Sequence, residues 1–403
     1  MPPFALLAYA TLSALPFSSA MIVYGALLAA AMTLAVFLLA RVTRAPLFVV
    51  AVALAPIAWS DAILRGQPFA IVLLAFAASA YLLQRSRPAA AACCLLAATV
   101  QPHVALPALL GALVLVPRMR ISLLLGGIAL AGASVVLVGP AVTTVYLRDV
   151  LPAHASANAY EWQFSLTSLL TSIGIAARPA ITAGSLTFAV MTLLGIVAAE
   201  RFVRRDGDAA AAVLIPPAFA VFLGVHVHYH QLALAFPAML FVLVRYERWR
   251  SIAGGGLVAA MLPWDTIIAP FLIGVWTMLA AIVGRFVYGP RPALWLAAGT
   301  ALFAVGISLA AFLHPALGGG ASYFTPHPYP PDGLAETSWS NYSRQVLSRT
   351  SPLFMIMRMP TVLGLLAGIV AIGGAAFAPS AAADAMGRVT AFAQPWRRRR
   401  GQL

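Results

Sequence analysis

Lysine is absent: all 25 basic side chains of this 403-residue chain are arginine. Charge of either sign is scarce, 9% of residues, where a soluble domain carries roughly a quarter. That excludes a globular protein solvated by its own side chains. A length that would otherwise mean two or three soluble domains here means many apolar spans of about 20 residues each. The only two cysteines, Cys93 and Cys94, are neighbours inside an apolar run. They make neither a disulfide framework nor a thiolate metal site, and are read as small core residues. Acidic groups number 11, so the formal charge is +14. In so apolar a chain this excess is read as positive loops beside membrane spans, not as a nucleic-acid surface. What is abundant is hydrophobic: 62% of residues, with a mean hydropathy of +0.93.

Apolar stretches separated by short polar breaks fall near 18–40, 45–60, 68–84, 88–100, 104–117, 121–146, 180–199, 209–225, 232–244, 251–263, 268–284, 293–312 and 352–378. They predict an all-α polytopic integral membrane protein with about 11–13 membrane segments. One membrane-embedded domain is expected over 1–378, followed by a basic tail at 379–403. Nineteen of the 25 arginines, from Arg41 and Arg44 to the terminal run Arg397 to Arg400, fall on one side of this layout. The positive-inside rule makes that side cytoplasmic. All seven histidines fall on the other, with the two longest hydrophilic segments, about 147–179 and 313–351. Long loops are usually functional, so chemistry is expected at the non-cytoplasmic face of the cell membrane. The first span then starts outside. The opening "MPPFALLAYATLSALPF" lacks the basic region of a signal peptide, so a further span and loop upstream are expected.

The candidate site residues lie on that outer side. In "GVHVHYHQLALAFP", His226, His228 and His230 share one face if extended, whereas on a helix only His226 and His230 do. Three imidazoles can ligate zinc, hold a phosphate where low dielectric strengthens charge interactions, or simply solvate a loop. No metal is assigned. "SDAILRGQPF" places Asp61, Arg65 and Gln67 on an outer break. Arg65 suits bidentate phosphate binding and Gln67 a sugar hydroxyl; an ordinary loop is the plain alternative. Asp61 is the weak candidate for a catalytic base. Gln101 and His103 flank Pro102 inside an apolar pair. Polar backbone at membrane depth is tolerated only when buried or lining a cavity, so both are placed in a cavity wall. Glu161, Trp162, Gln163 and Ser165 are read as an acceptor platform or as an interfacial aromatic belt.

Four stretches in order, "PPFALLAYATLSALPFSSAMIVYGALL", "RGQPFAIVLLAFAASAYLLQRSRPAAAACCLLAATVQPHVALPALLGALV", "WQFSLTSLL" and "HVHYHQLALAFPAML", together resemble glycosyltransferase family 87. That family comprises polyprenyl-phosphate-mannose-dependent enzymes of the GT-C membrane fold. The resemblance covers roughly 2–250. It implies a Gly-Gln opening a span (Gly66-Gln67), a Lys-Pro that here is Gln101-Pro102, an Asn-Gln-Ser-Leu loop that here reads Trp162-Gln163-Phe164-Ser165, and a His-Tyr pair (His228-Tyr229). It also implies a GT-C-like bundle whose first outer loop, upstream of Met1, carries the acidic base. The expected function is transfer of a mannose-like hexose from a polyprenyl-phosphate donor to an outer-face glycan or glycolipid, with no cofactor. The expected partners are membrane lipid, that donor and that acceptor, and no nucleic acid. The substrate-binding residues expected are Arg65, Gln67, Gln101, His103, Gln163, His226, His228, Tyr229 and His230. The alternatives are a lipid-linked sugar transporter or flippase, and an inactive truncated homologue. Transport is disfavoured because ionisable groups gather at one face and no internal repeat is seen.

Overall fold

A computed structural model describes residues 2–55, 66–150, 163–261, 272–313 and 352–378. Those residues form fifteen α-helices, with no strand among them. In chain order they are α1 (Leu6–Ser13), α2 (Phe17–Thr43), α3 (Leu47–Leu54), α4 (Phe69–Gln84), α5 (Pro88–Ala97), α6 (Pro102–Leu115), α7 (Arg120–Val145), α8 (Leu166–Ser172), α9 (Ala177–Asp206), α10 (Ala211–Ala220), α11 (Phe236–Arg245), α12 (Glu247–Met261), α13 (Leu272–Tyr288), α14 (Pro290–Leu313) and α15 (Pro352–Phe377).

Proline sets most of the boundaries. It lacks a backbone donor and has a fixed φ, which suits the first turn of a helix and disfavours helix in the residue before it. Pro46 and Pro68 immediately precede α3 and α4, and Pro88 and Pro102 open α5 and α6. The long α9 stops at Gly207, which takes the left-handed conformation (φ 66°) and donates its N–H to the Val203 carbonyl. A residue without Cβ adopts that geometry at no steric cost.

Among the described residues, four helical stretches are long and apolar enough to cross a membrane: Phe17–Thr43, Pro117–Asp149, Ala177–Asp206 and Arg358–Phe377. Other helices in the expected apolar stretches, among them α4, α6 and α10, are apolar helices of 10–17 residues. The bundle is an all-α polytopic membrane protein. Its centre is α10 and α11, in which all of Ala211–Ala220 and the stretch from Phe236 to Leu243 are buried. A helix apolar all round belongs inside. The periphery exposes large apolar side chains that only lipid can cover, such as Phe17 at 82%, Val136 at 84% and Trp295 at 80%.

Side chains tie helix ends together at the arginine-rich end. Arg245 donates to Asp208 (2.6 Å) and to the Val42 carbonyl (3.0 Å), and Gln84 donates to the same two groups (3.0 and 3.2 Å). Arg205 donates to the Ala375 carbonyl (2.8 Å) and to the Tyr246 hydroxyl (2.9 Å), which in turn donates to Asp206. The C-terminal ends of α2, α4, α9, α11 and α15 therefore share one end of the bundle. The helices α12 and α15 meet backbone to backbone. A Cβ on Gly364 would sit 2.3 Å from the Ala260 nitrogen and 2.6 Å from the Gly256 oxygen. Small residues permit such approach between membrane helices.

Candidate functional site

The site lies at the end of the bundle away from the arginine clasp. It is built by three short departures from helix. The first is at Gln101, where the preceding 3-10 turn Ala98–Val100 ends and α6 starts. His103 therefore sits in the first turn of α6 and is exposed. Gln101 is half-buried, and its Oε1 is a buried acceptor with no hydrogen bond among the described residues.

The second departure follows α10. Leu223 has φ 53°, a left-handed conformation that a branched side chain rarely adopts. The chain then runs without helix to His228, and from Tyr229 to Leu234 it forms a 3-10 helix. The histidine triplet is thus neither a strand nor an α-helix, and its members part company. His228 and His230 stack, with centroids 5.6 Å apart and planes within 7°. His230 is buried against Phe69 at the start of α4, 5.4 Å between centroids. His226 turns the other way, into a narrow cavity shared with His103, Pro107, Phe188, Pro217 and Gln231, with room for about one water molecule. Among the described residues no group of three or more His, Cys, Asp or Glu is arranged to hold a metal.

Gln231 joins the pieces. Its Oε1 accepts the His228 N–H at 3.0 Å. That fixes which way the amide points, so its NH₂ is the donor toward His103 Nε2, also 3.0 Å away. His103 must therefore accept at Nε2, which makes it the neutral tautomer with its proton on Nδ1.

The third departure is the segment ahead of α8. Gln163 is fully buried, and its Oε1 accepts the Val227 N–H at 3.2 Å. The Phe164 N–H reaches the Val227 carbonyl (2.8 Å) and the Leu166 N–H the Gly224 carbonyl (3.1 Å). Gln163 thus pins the histidine segment and does not present an open platform. Ser165 caps α8 by accepting the Ser168 N–H at 3.1 Å. The Phe164 ring lies 5.9 Å from that of Tyr229.

One charged residue enters this knot from far along the chain. Arg358 of α15 is 3% exposed, donates from Nη1 to Ser168 Oγ at 3.1 Å, and holds its guanidinium carbon 6.0 Å from the Phe164 ring centroid. Neither Arg358 nor Gln231 belongs to a motif evident in the sequence. Arg358 does carry a signal, a lone charge in the apolar run "PLFMIMRMP". An ionisable residue inside a membrane span is by default a functional candidate.

The expected residues therefore distribute as follows. His103, Gln163, His226, His228, Tyr229 and His230 are brought into one contiguous junction with Gln231. Gln67 lies half-buried two residues before Phe69, beside Gly66, whose Cβ position faces the Tyr24 ring at 3.6 Å. Gln101 borders the junction through α6. Asp61, Arg65, Glu161 and Trp162 lie outside the described residues, as do the segment 313–351 beyond Leu313 and the basic tail 379–403.

A family model described as "Glycosyltransferase family 87" matches residues 1–224, more than half of the chain. No curated protein and no solved structure matches the chain. The histidine segment and Arg358 both fall beyond the matched residues.

Proposed function

The chain belongs to glycosyltransferase family 87, and from that premise we propose that it moves a mannose-like hexose from a polyprenyl-phosphate donor to a glycan or glycolipid acceptor. Family membership makes it a membrane glycosyltransferase; donor, acceptor and sugar are the proposal. The reaction is placed on the non-cytoplasmic face of the cell membrane, because the histidine junction sits opposite the arginine clasp and arginine marks the cytoplasmic side.

The acceptor hydroxyl attacks the anomeric carbon while its proton passes to a carboxylate base. Within this chain Asp61 is the candidate for that base. The bond from the anomeric carbon to the phosphate oxygen breaks, and the lipid phosphate departs with its electrons. Donors aimed at the departing oxygens lower the barrier by meeting charge as it develops. Arg65 and the imidazoles of His226, His228 and His230 are assigned to that end, and Gln67 and Gln101 to sugar hydroxyls. His103, Gln163 and Tyr229 hold the histidine segment in shape. No metal or cofactor is assigned.

The observation that carries this reading is the junction of His103, Gln231 and His228, which joins residues distant in sequence at one end of a lipid-embedded bundle. The test is transfer of labelled hexose from polyprenyl-phosphate-mannose to a glycan acceptor by the full chain in detergent or vesicles. His228→Ala lowers transfer by about a hundredfold, and EDTA leaves it intact. Loss with EDTA and recovery with zinc overturns the phosphate role of the histidines. Absence of transfer with any lipid-linked hexose overturns the function.

A further inference from the structure

We propose that the joined C-terminal ends of α2 and α4 form a binding site for the phosphate head group of an anionic phospholipid, held by Arg41, Arg44, Arg85 and Arg87.

Gln84 joins the two ends by donating to the Val42 carbonyl at 3.2 Å. Each of the four arginines lies within three residues of that bond, and each is exposed. Arg44 ends α2 in the left-handed conformation (φ 63°), and Arg87 immediately precedes α5. Among the described residues none of the four makes an ion pair with a carboxylate. Asp208, the acid bonded into this junction, is already spent. Its side chain is 10% exposed and accepts from Arg245 (2.6 Å), Gln84 (3.0 Å) and the Ala210 N–H (3.0 Å). The surface guanidiniums therefore keep their charge. They repel one another, and a phosphate received among them relieves that repulsion while accepting from their planar donors.

The same two helices offer matching tracks for acyl chains. On α2, Leu27, Ala30, Leu34 and Phe37 are exposed and lead to Arg41. On α4, Ile71, Leu74, Ala78 and Tyr81 are partly exposed and lead to Arg85. Both series step by three, four, three and four residues, which keeps each on one helical stripe. Each ends in an aromatic ring with a guanidinium stacked one turn later, Arg41 at 5.0 Å from the Phe37 centroid and Arg85 at 5.1 Å from that of Tyr81. Such stacking is attractive and holds the cation at the upper end of its stripe. The fourteen residues from Leu27 to Arg41 cover roughly 21 Å along the helix, more than the ~15 Å depth of one hydrocarbon leaflet. A phospholipid lying here keeps its chains on the apolar stripes while its phosphate reaches the guanidiniums.

Placement separates this site from a general excess of positive charge. Arg248 and Arg291 are also exposed, in the first turns of α12 and α14. Those turns lie at the same end of the bundle, where the Tyr288 hydroxyl donates to the Ser251 carbonyl. They lack the paired stripes, so they supply a control of equal charge.

The test reads lipid binding by the purified full chain in an uncharged detergent. Phosphatidylglycerol and phosphatidylcholine with the same acyl chains are titrated, and thermal stabilisation is followed. The expected result is stabilisation by phosphatidylglycerol at a lower half-saturating concentration than by phosphatidylcholine. The double variant Arg41→Gln with Arg85→Gln raises the phosphatidylglycerol value roughly ten- to thirtyfold, the loss expected for two guanidiniums near an anionic lipid. The control, Arg248→Gln with Arg291→Gln, leaves it within about twofold of the parent's. If the first double variant does not fold, Arg44→Gln with Arg87→Gln is compared with the same control and is expected to weaken binding likewise. No preference for phosphatidylglycerol in the parent overturns the proposal. So does a preference that survives the substitutions at α2 and α4. An equal loss in the control pair assigns the effect to net charge alone and also overturns the site. Turnover is not measured, so each outcome stands apart from the transfer reaction.

Discussion

Gln231 shows how much one amide settles. Its oxygen is held by the His228 N–H, so its nitrogen faces His103 and selects that ring's tautomer. Gln231→Leu leaves a buried backbone donor without its acceptor and frees His103. It is expected to cost about 1–3 kcal/mol of stability, read as a lower Tm, and to lower hexose transfer. Gln231→Glu keeps the acceptor for His228 but sets a carboxylate against His103 Nε2, so His103 must take a proton to remain bonded. Transfer by that variant is expected to follow a pH profile between about 5 and 8, the range in which histidine titrates, that is displaced from the parent's. Parallel pH profiles would refute the tautomer assignment. At the other end of the bundle, burial pushes the Tyr246 phenol up, helped by the hydrogen bond and charge of Asp206 and opposed by Arg205. A folded-state pKa above the unfolded value of about 10 gives stability that is intact below pH 10 and is lost as pH rises toward the folded value. The parent is thus expected to lose thermal stability above about pH 10 more steeply than Tyr246→Phe; equal slopes would rule the effect out.

Among the elements, α15 has the most consequence for the site, because it packs closely on α12 and α11 and meets α8 at its start. Its Gly364 touches the backbone of α12 and its Gly368 touches Met239 of α11, where a Cβ would lie 2.7 Å from the methionine methyl carbon. Its Arg358 meets α8. Gly364→Ala forces the two backbones apart, at an expected cost of about 1–3 kcal/mol. The same change is expected to lower hexose transfer although it lies far from the junction, because it displaces the Arg358 contact with Ser168. Gly373→Ala, with nothing within 4 Å of its Cβ position, is the control and is expected to leave both Tm and transfer near the parent's. Helix boundaries of this kind were largely legible beforehand. The prolines at 46, 68, 88 and 102 stand where α3, α4, α5 and α6 begin, since the backbone of proline acts locally whatever it packs against. The lengths were less legible: α10 is ten residues, shorter than the apolar run 209–225 that contains it, because the chain leaves helix before the histidines to bond with the segment at 163–166.

For the whole molecule, the two-ended layout is the testable claim. In a chain with Cys93 and Cys94 replaced by alanine, a cysteine at Ala176, exposed just ahead of α9, is expected to react with an impermeant thiol reagent in intact cells. A cysteine at Arg204, exposed in the last turn of α9, is expected to stay unlabelled until the cells are opened. The 30-residue α9 separates them, a length that spans a bilayer with some tilt. The reverse labelling would place the histidine junction in the cytoplasm and take the proposed reaction with it.

Composition and periodicity determined the all-α membrane architecture and where most of the described apolar helices lie. Those properties are sums over neighbouring residues, and hydropathy and arginine bias act through the bilayer before any helix meets another. His103 was also within reach of the sequence, since a proline-broken apolar run signals backbone that must line something. Tertiary structure alone decided that Gln163 is a buried pin, that the three histidines divide between a stack and a cavity, and that Arg358 meets Ser168 across 190 positions of chain. These pairings depend on how closely helices approach, and that is set by contacts such as Gly256 on Gly364, whose partners no local pattern identifies.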